Sequence, residues 1–201
     1  MIRVLLAEDQ DMVRGAIAAL LSLEPDIEVV AEVDRGDQVL AEARGHHPEV
    51  ALLDIEMPGA DGISVAADLR RELPECRVLI LTTFGKPGYL RRAMASGASG
   101  FMLKDAPAEE LAIAIRRTMA GERVLDPQLA AIALSEGDSP LSPRETEVLR
   151  ASVGGASVAQ VASRLFLSEG TVRNHLSAAI QKLQVHNRTE AAQVAREKGW
   201  L

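Results

Sequence analysis

Four short apolar runs in the first half of this chain each end on a residue with chemistry. Val4-Leu5-Leu6-Ala7 ends on Glu8-Asp9, Val50-Ala51-Leu52-Leu53 on Asp54, Val78-Leu79-Ile80-Leu81 on Thr82, and Phe101-Met102-Leu103 on Lys104. The runs are nearly continuous in Val, Ile and Leu rather than alternating, which is how strands buried on both faces read. With one further run, the strand candidates lie near 2–7, 28–33, 50–54, 77–82 and 99–103. Amphipathic stretches near 11–24, 35–45, 61–73, 86–97 and 107–120 separate them, the last opening with Pro107 at its first helical position and Glu109 in its first turn. Five successive βα units imply an α/β fold with a five-stranded, doubly wound parallel sheet. All strands of such a sheet point one way, so the four chemistries would meet at its carboxyl edge, where open α/β sheets hold their ligands.

Residues 121–140 change character. A short Ala/Leu stretch, 128–134, precedes Ser135-Glu136-Gly137-Asp138-Ser139-Pro140, a small, polar, breaker-rich linker. Residues 141–201 show no strand pattern. Ser142-Pro143-Arg144-Glu145 and Ser157-Val158-Ala159-Gln160 read as capping boxes, and Ser168 and Asn187 mark two more helix starts. The expected division is a domain at 1–120, a linker at 121–140 and a small all-α domain at 141–201. Charge divides the same way. Residues 1–138 carry 14 basic and 24 acidic side chains, whereas residues 139–201 carry 8 and 5, so only the helical part has a balance suited to nucleic acid. No apolar run approaches the ~18–20 residues that span a bilayer, and no signal peptide is visible. The single Cys76 excludes an intramolecular disulfide and cysteine metal cages, and is expected to be an inert, half-buried thiol. A cytoplasmic protein without a membrane partner is expected.

A carboxylate such as Asp54 can act as a nucleophile toward phosphorus. The attack brings two anions together, which a divalent cation offsets by neutralising charge and orienting oxygens. Glu8, Asp9 and Asp54 offer the oxygen ligands that Mg²⁺ prefers. Lys104 can pair with an incoming phosphoryl group and Thr82 can donate a hydrogen bond to it. In the second part, Val158, Val161, Ala162 and Leu165 form an apolar face, a turn follows through Phe166-Leu167, and Ser168 begins the next helix. There Val172, Leu176, Ala179, Ile180 and Leu183 face inward, while Arg173, Asn174, Ser177 and Gln181 share the opposite face. This is a helix-turn-helix pattern whose second helix suits a major groove. Ser168, Thr171 and Lys182 suit phosphates.

The first set, Glu8-Asp9, Asp54-Ile55-Glu56-Met57-Pro58-Gly59, Thr82-Thr83 and Gly100-Phe101-Met102-Leu103-Lys104, resembles the flavodoxin-like receiver domain of bacterial response regulators. Leu141 to Glu145, Gly170 to Leu176 and Lys182-Leu183 resemble the LuxR-type helix-turn-helix. Together they resemble a NarL/FixJ-type two-component response regulator, and within that family the regulators of membrane-lipid desaturation. The resemblance implies phosphorylation of Asp54 by a sensor histidine kinase, with Asp9 and Asp54 binding Mg²⁺ directly, Glu8 through water and Glu56 through its backbone carbonyl. It implies that Thr82 and Phe101 act as switch residues, and that a homodimer forms on phosphorylation and binds promoter DNA to regulate transcription. Phe84 is expected to shield the phosphoryl group. Asp105 follows the lysine where many receivers have proline, which makes the usual cis peptide less assured. Two other readings are open from the residues: a Mg²⁺-dependent phosphatase with Glu56 as second acid, and a phosphorylation-independent DNA-binding protein whose first domain is a dimerisation scaffold.

Overall fold

The computed structural model describes residues 1–83, 87–125 and 139–201. Phe84, the 128–134 stretch and Ser135 to Asp138 lie outside the described residues. The chain divides into two compact units, one α/β and one helical, and each is described by itself.

In the α/β unit β1 (Ile2–Ala7), β2 (Ile27–Val33), β3 (Val50–Asp54), β4 (Arg77–Thr82) and β5 (Gly100–Leu103) alternate with α1 (Asp11–Leu21), α2 (Gly36–His46), α3 (Gly62–Glu72), α4 (Pro87–Ser96) and α5 (Ala108–Met119). All strand pairs are parallel, in the order β2-β1-β3-β4-β5-β6. The sixth strand, β6 (Val124–Leu125), corrects the expectation of five. Two residues are too short to show a period. Gly121, at φ +83, turns the chain after α5, and Val124 and Leu125 then pair with Gly100 and Phe101.

Both faces of the sheet are covered, as the continuous apolar runs require. Val4, Leu6, Val50, Leu52, Leu79, Leu81 and Met102 cluster with Ile17 and Leu21 of α1 and Leu111 and Ile115 of α5. The intervening Leu5, Ala51, Leu53, Ile80 and Phe101 are buried as deeply. By the pleat they point to the other face, where α2 and α3 contribute buried Val39, Ala43, Ile63, Ala66 and Leu69. Each buried Leu, Val or Ile contributes about 1.5–3 kcal/mol, so a slip of one residue in any central strand exchanges two apolar faces and is strongly opposed by what the strand ends carry.

Two helix ends differ from expectation. Helix α1 stops at Leu21 rather than near 24, because Pro25 disfavours helical geometry in the residue before it. Pro107 sits at the N-cap of α5, at φ −53 and ψ 143, not at the first helical position. Its ring fixes φ but leaves ψ extended, and Glu109 and Glu110 still fall in the first turn. No cis peptide bond occurs among the described residues.

The helical unit holds α6 (Pro143–Ala151), α7 (Val158–Leu165), α8 (Glu169–Leu183) and α9 (Arg188–Glu197). Every expected cap forms. Ser142 with Glu145 and Ser157 with Gln160 are reciprocal capping boxes, Ser168 accepts the Thr171 N–H and Asn187 accepts the Glu190 N–H. Leu149, Val161, Val172, Leu176, Ala191 and Ala195 are among the residues that make the core.

Glu145 has a double role. Its Oε2 accepts the Ser142 N–H at 2.7 Å and pairs with Lys182 Nζ at 2.8 Å. Burial alone would raise this carboxyl, but the Lys182 ammonium and the Ser142 N–H outweigh it and hold the carboxyl below its ordinary value. A lowered folded-state pKa contributes stability above the unfolded value, about 4.3, and loses it as pH falls toward the folded value. Trp200, the single tryptophan, packs against this core and reports its unfolding. Urea titrations followed by Trp200 fluorescence are expected to show Glu145→Gln less stable by about 1 kcal/mol at pH 7. The gap should narrow below about pH 4.3; a gap independent of pH removes the ionised pair from the account.

Candidate functional site

Strand register brings the chemistry together. Ala7 pairs with Leu53, Asp54 with Leu81 and Thr82 with Leu103, so the residues ending these strands stand side by side at the carboxyl edge. Glu8 is 0% exposed, and Asp54 and Thr82 are buried. Lys104 Nζ lies 2.5 Å from Glu8 Oε2 and 3.0 Å from Asp54 Oδ1. The Lys104 N–H donates to the Thr82 carbonyl at 2.8 Å, which fixes where the lysine leaves the sheet. Asp54 Oδ1 also accepts the Ile55 N–H at 2.7 Å, and Glu8 Oε1 accepts the Gln10 N–H at 3.2 Å. Burial pushes the Asp54 carboxyl above its ordinary value; Lys104 pulls it part of the way back, and the charge of Glu8 adds to the rise.

Asp9 is more open than its neighbours, and one carboxylate oxygen from each of Glu8, Asp9 and Asp54 lies within 4.8 Å of the others. The donor set is all oxygen. Glu8 Oε2 is buried without a hydrogen bond and meets the Lys104 ammonium. Oxygens across an octahedral Mg²⁺ stand about 4.2 Å apart. The cluster therefore fits such an ion with a small side-chain adjustment or an intervening water.

Three structural features converge on this reading: strand-end carboxylates, a strand-end lysine and a separate capped helical unit. Residues 4–116 match the response regulator receiver domain, and residues 139–195 match the bacterial regulatory proteins of the luxR family. The chain belongs to the LuxR-type response regulators. It is 44% identical over 201 residues to the transcriptional regulatory proteins YvfU and DesR of Bacillus subtilis (strain 168), covering 100% of both partners in each case. Among solved structures it is similar to the response regulator RcsB in complex with DNA, with a TM-score of 0.68 and 26% identity over 98% of each chain. Relatives of this response regulator are transcription regulators.

Not all expected site residues lie in the acidic cluster. The Glu56 carboxylate accepts a hydrogen bond from the Tyr89 hydroxyl at 3.2 Å. Burial and the neighbouring Glu56 both raise the Tyr89 hydroxyl above its ordinary value. Tyr89 is 33 residues from Glu56 and belongs to α4, so no local spacing in the sequence signals the contact. Phe101 is wholly buried in β5. Cys76 is buried rather than half-buried, and burial pushes its thiol up to about 11.

In the second domain of the response regulator, Arg173, Asn174, Ser177 and Gln181 are exposed on one face of α8, opposite buried Val172, Leu176 and Ala179. Phe166 occupies the turn at φ 55 and is 96% exposed. Arg173 pairs with Glu169 at 2.6 Å, an exposed contact of the kind that exchanges readily for another partner. Ser168 Oγ caps α8 and lies 2.8 Å from Thr171 Oγ1. Lys182 is held by Glu145.

Gly62 supports Asp54 from below. Its N–H donates to the Ile55 carbonyl at 3.0 Å, and a Cβ here would run into the Asp54 backbone carbonyl. Gly62→Ala is expected to destabilise the protein by about 1–3 kcal/mol and to weaken Mg²⁺ binding measured by calorimetric titration. Unchanged stability and Mg²⁺ affinity would show that the loop relaxes at no cost.

Proposed function

We propose that this response regulator accepts a phosphoryl group on Asp54 from a sensor histidine kinase in the cytoplasm, dimerises, and binds promoter DNA. The observation that supports this most is the contact of Lys104 with Asp54 beside Glu8 and Asp9 at one sheet edge. An Asp54 carboxylate oxygen attacks phosphorus, the bond from phosphorus to the donor nitrogen breaks, and its electron pair leaves on that nitrogen. Bound Mg²⁺ supplies charge neutralisation and oxygen orientation there. Asp9 and Asp54 would hold the ion directly, with Glu8 acting through water and Glu56 through its backbone carbonyl. Lys104 pairs with the new phosphoryl oxygens and Thr82 donates its hydroxyl to them, with Phe101 following Thr82 as the switch. The protein thus takes part in its own phosphorylation and dephosphorylation.

Residues 1–120 form the receiver, 121–140 the linker and 141–201 the DNA-binding domain. Pairing two protomers presents two α8 helices to two half-sites, which raises affinity through effective concentration. Arg173, Asn174, Ser177 and Gln181 read base edges, and Ser168, Thr171 and Lys182 hold phosphates. The likeness to DesR favours target genes of membrane-lipid desaturation.

Sedimentation of wild type and Asp54→Ala, each with Mg²⁺ and with or without acetyl phosphate, tests the first half. Only wild type with donor is expected to dimerise; one oligomeric state in all four samples removes phosphorylation as the trigger for assembly. Arg173→Ala is expected to cost about 1–3 kcal/mol in binding to the cognate operator and to relax its specificity. A uniform loss on all DNA sequences, seen by fluorescence anisotropy, would reassign Arg173 to the phosphate backbone.

A further inference from the structure

The receiver has a polar cavity at the edge of its sheet opposite the acidic cluster. It measures about 270 Å³ and lies at the amino ends of β4 and β5, lined in part by Arg70, Arg77, Ser99, Thr118 and Arg123. Thr82 and Lys104 end the same two strands. Five strand steps of about 3.3 Å put the cavity roughly 17 Å from the Asp54 edge, so it is not an extension of the acidic cluster.

Two independent features mark this cavity as built for a ligand. The first is charge. Arg70, Arg77 and Arg123 are all exposed and make no ion pair among the described residues. Glu122 is the one carboxylate in the lining, and it is neutralised by Arg117 at 2.7 Å. Burial keeps the Cys76 thiol neutral, so it adds no opposing charge. The second feature is an orphan donor. Thr118 is 0% exposed, lines the cavity, and its Oγ1 has no hydrogen-bond partner. Buried hydroxyls are nearly always satisfied, and an unmade bond costs about 1–3 kcal/mol. A helical threonine ordinarily relieves this cost by bonding a carbonyl one turn back; Thr118 does not.

Guanidinium groups are donors only, and the Thr118 hydroxyl can donate as well, so this lining offers hydrogen bonds to an anion. Arginine is the side chain whose fork matches phosphate oxygens. The volume suits a small molecule. We propose that this cavity is a second anion site of the receiver, which takes a phosphate-bearing small molecule through Arg77, Arg123 and the Thr118 hydroxyl, with Arg70 at its rim.

Calorimetric titration of the full-length protein with pyrophosphate tests this. EDTA keeps the acidic cluster free of metal and repulsive to anions. Saturable one-site binding is expected. The double variant Arg77→Ala/Arg123→Ala should weaken it at least about tenfold, the loss of one or more charge-assisted hydrogen bonds. Thr118→Val keeps the shape and removes the orphan hydroxyl, so it should fold at least as stably as wild type and weaken binding about fivefold. Absence of saturable heat through the millimolar range overturns the proposal. So does unchanged affinity in either variant with melting temperature preserved. Binding that survives both and is lost in Arg173→Ala also overturns it, because the anion then sits on the DNA-binding domain.

Discussion

One ammonium facing two buried carboxylates is the interaction on which the receiver depends. Glu8 and Asp54 would each cost several kcal/mol to bury as isolated charges. Lys104 touches both, so a single positive charge offsets the burial of two negative ones. The balance is incomplete by one charge, and Asp9 at the rim adds another. The edge is therefore electrostatically short of a cation. Under the proposed function, a divalent metal makes up that deficit and lets an incoming phosphoryl group approach. Burial raises the Asp54 carboxyl, Lys104 pulls it part of the way back, and the unbalanced charge of Glu8 adds to the rise.

The backbone around this cluster gives it reach. Lys104 and Thr82 share a main-chain hydrogen bond, so the lysine cannot be displaced without loading the end of β4. Three residues back along β5, Phe101 is wholly buried. The Glu56–Tyr89 hydrogen bond ties the loop after Asp54 to the first turns of α4. A change of charge at Asp54 thus bears on β4, β5 and α4 together. These elements are the natural candidates for a two-state response because packed cores shift between discrete arrangements rather than deform continuously.

The parallel sheet was legible in the sequence because its strands are buried on both faces, and this leaves uninterrupted Val, Ile and Leu with the chemistry displaced to the ends. The helix starts of the second domain were legible because capping is local: Ser142, Ser157, Ser168 and Asn187 each meet an N–H within the next turn. What escaped has a different physics. Strand β6 is two residues long and owes its place to Gly121 and to the open edge of β5, which no periodicity records. The Glu56–Tyr89 and Glu145–Lys182 pairs join residues brought close only by packing. Pro107 shows the limit of a local rule: proline sets φ, and ψ then decides whether it opens the helix or caps it.

Glu145 carries a consequence for recognition. It caps α6 through the Ser142 N–H and holds Lys182 near the end of α8, so one carboxylate joins the start of one helix to the end of another. The C-terminal end of α8 is thereby anchored inside its own domain, while Arg173, Asn174 and Ser177 stay exposed nearer its start. A recognition helix reads bases mainly from its N-terminal part, and this is the part left open. In the proposed complex, Lys182 faces a competition between Glu145 and a DNA phosphate. Releasing it would leave a poorly solvated carboxylate at the α6 cap, so a phosphate contact is favoured only where the ammonium reaches both anions at once.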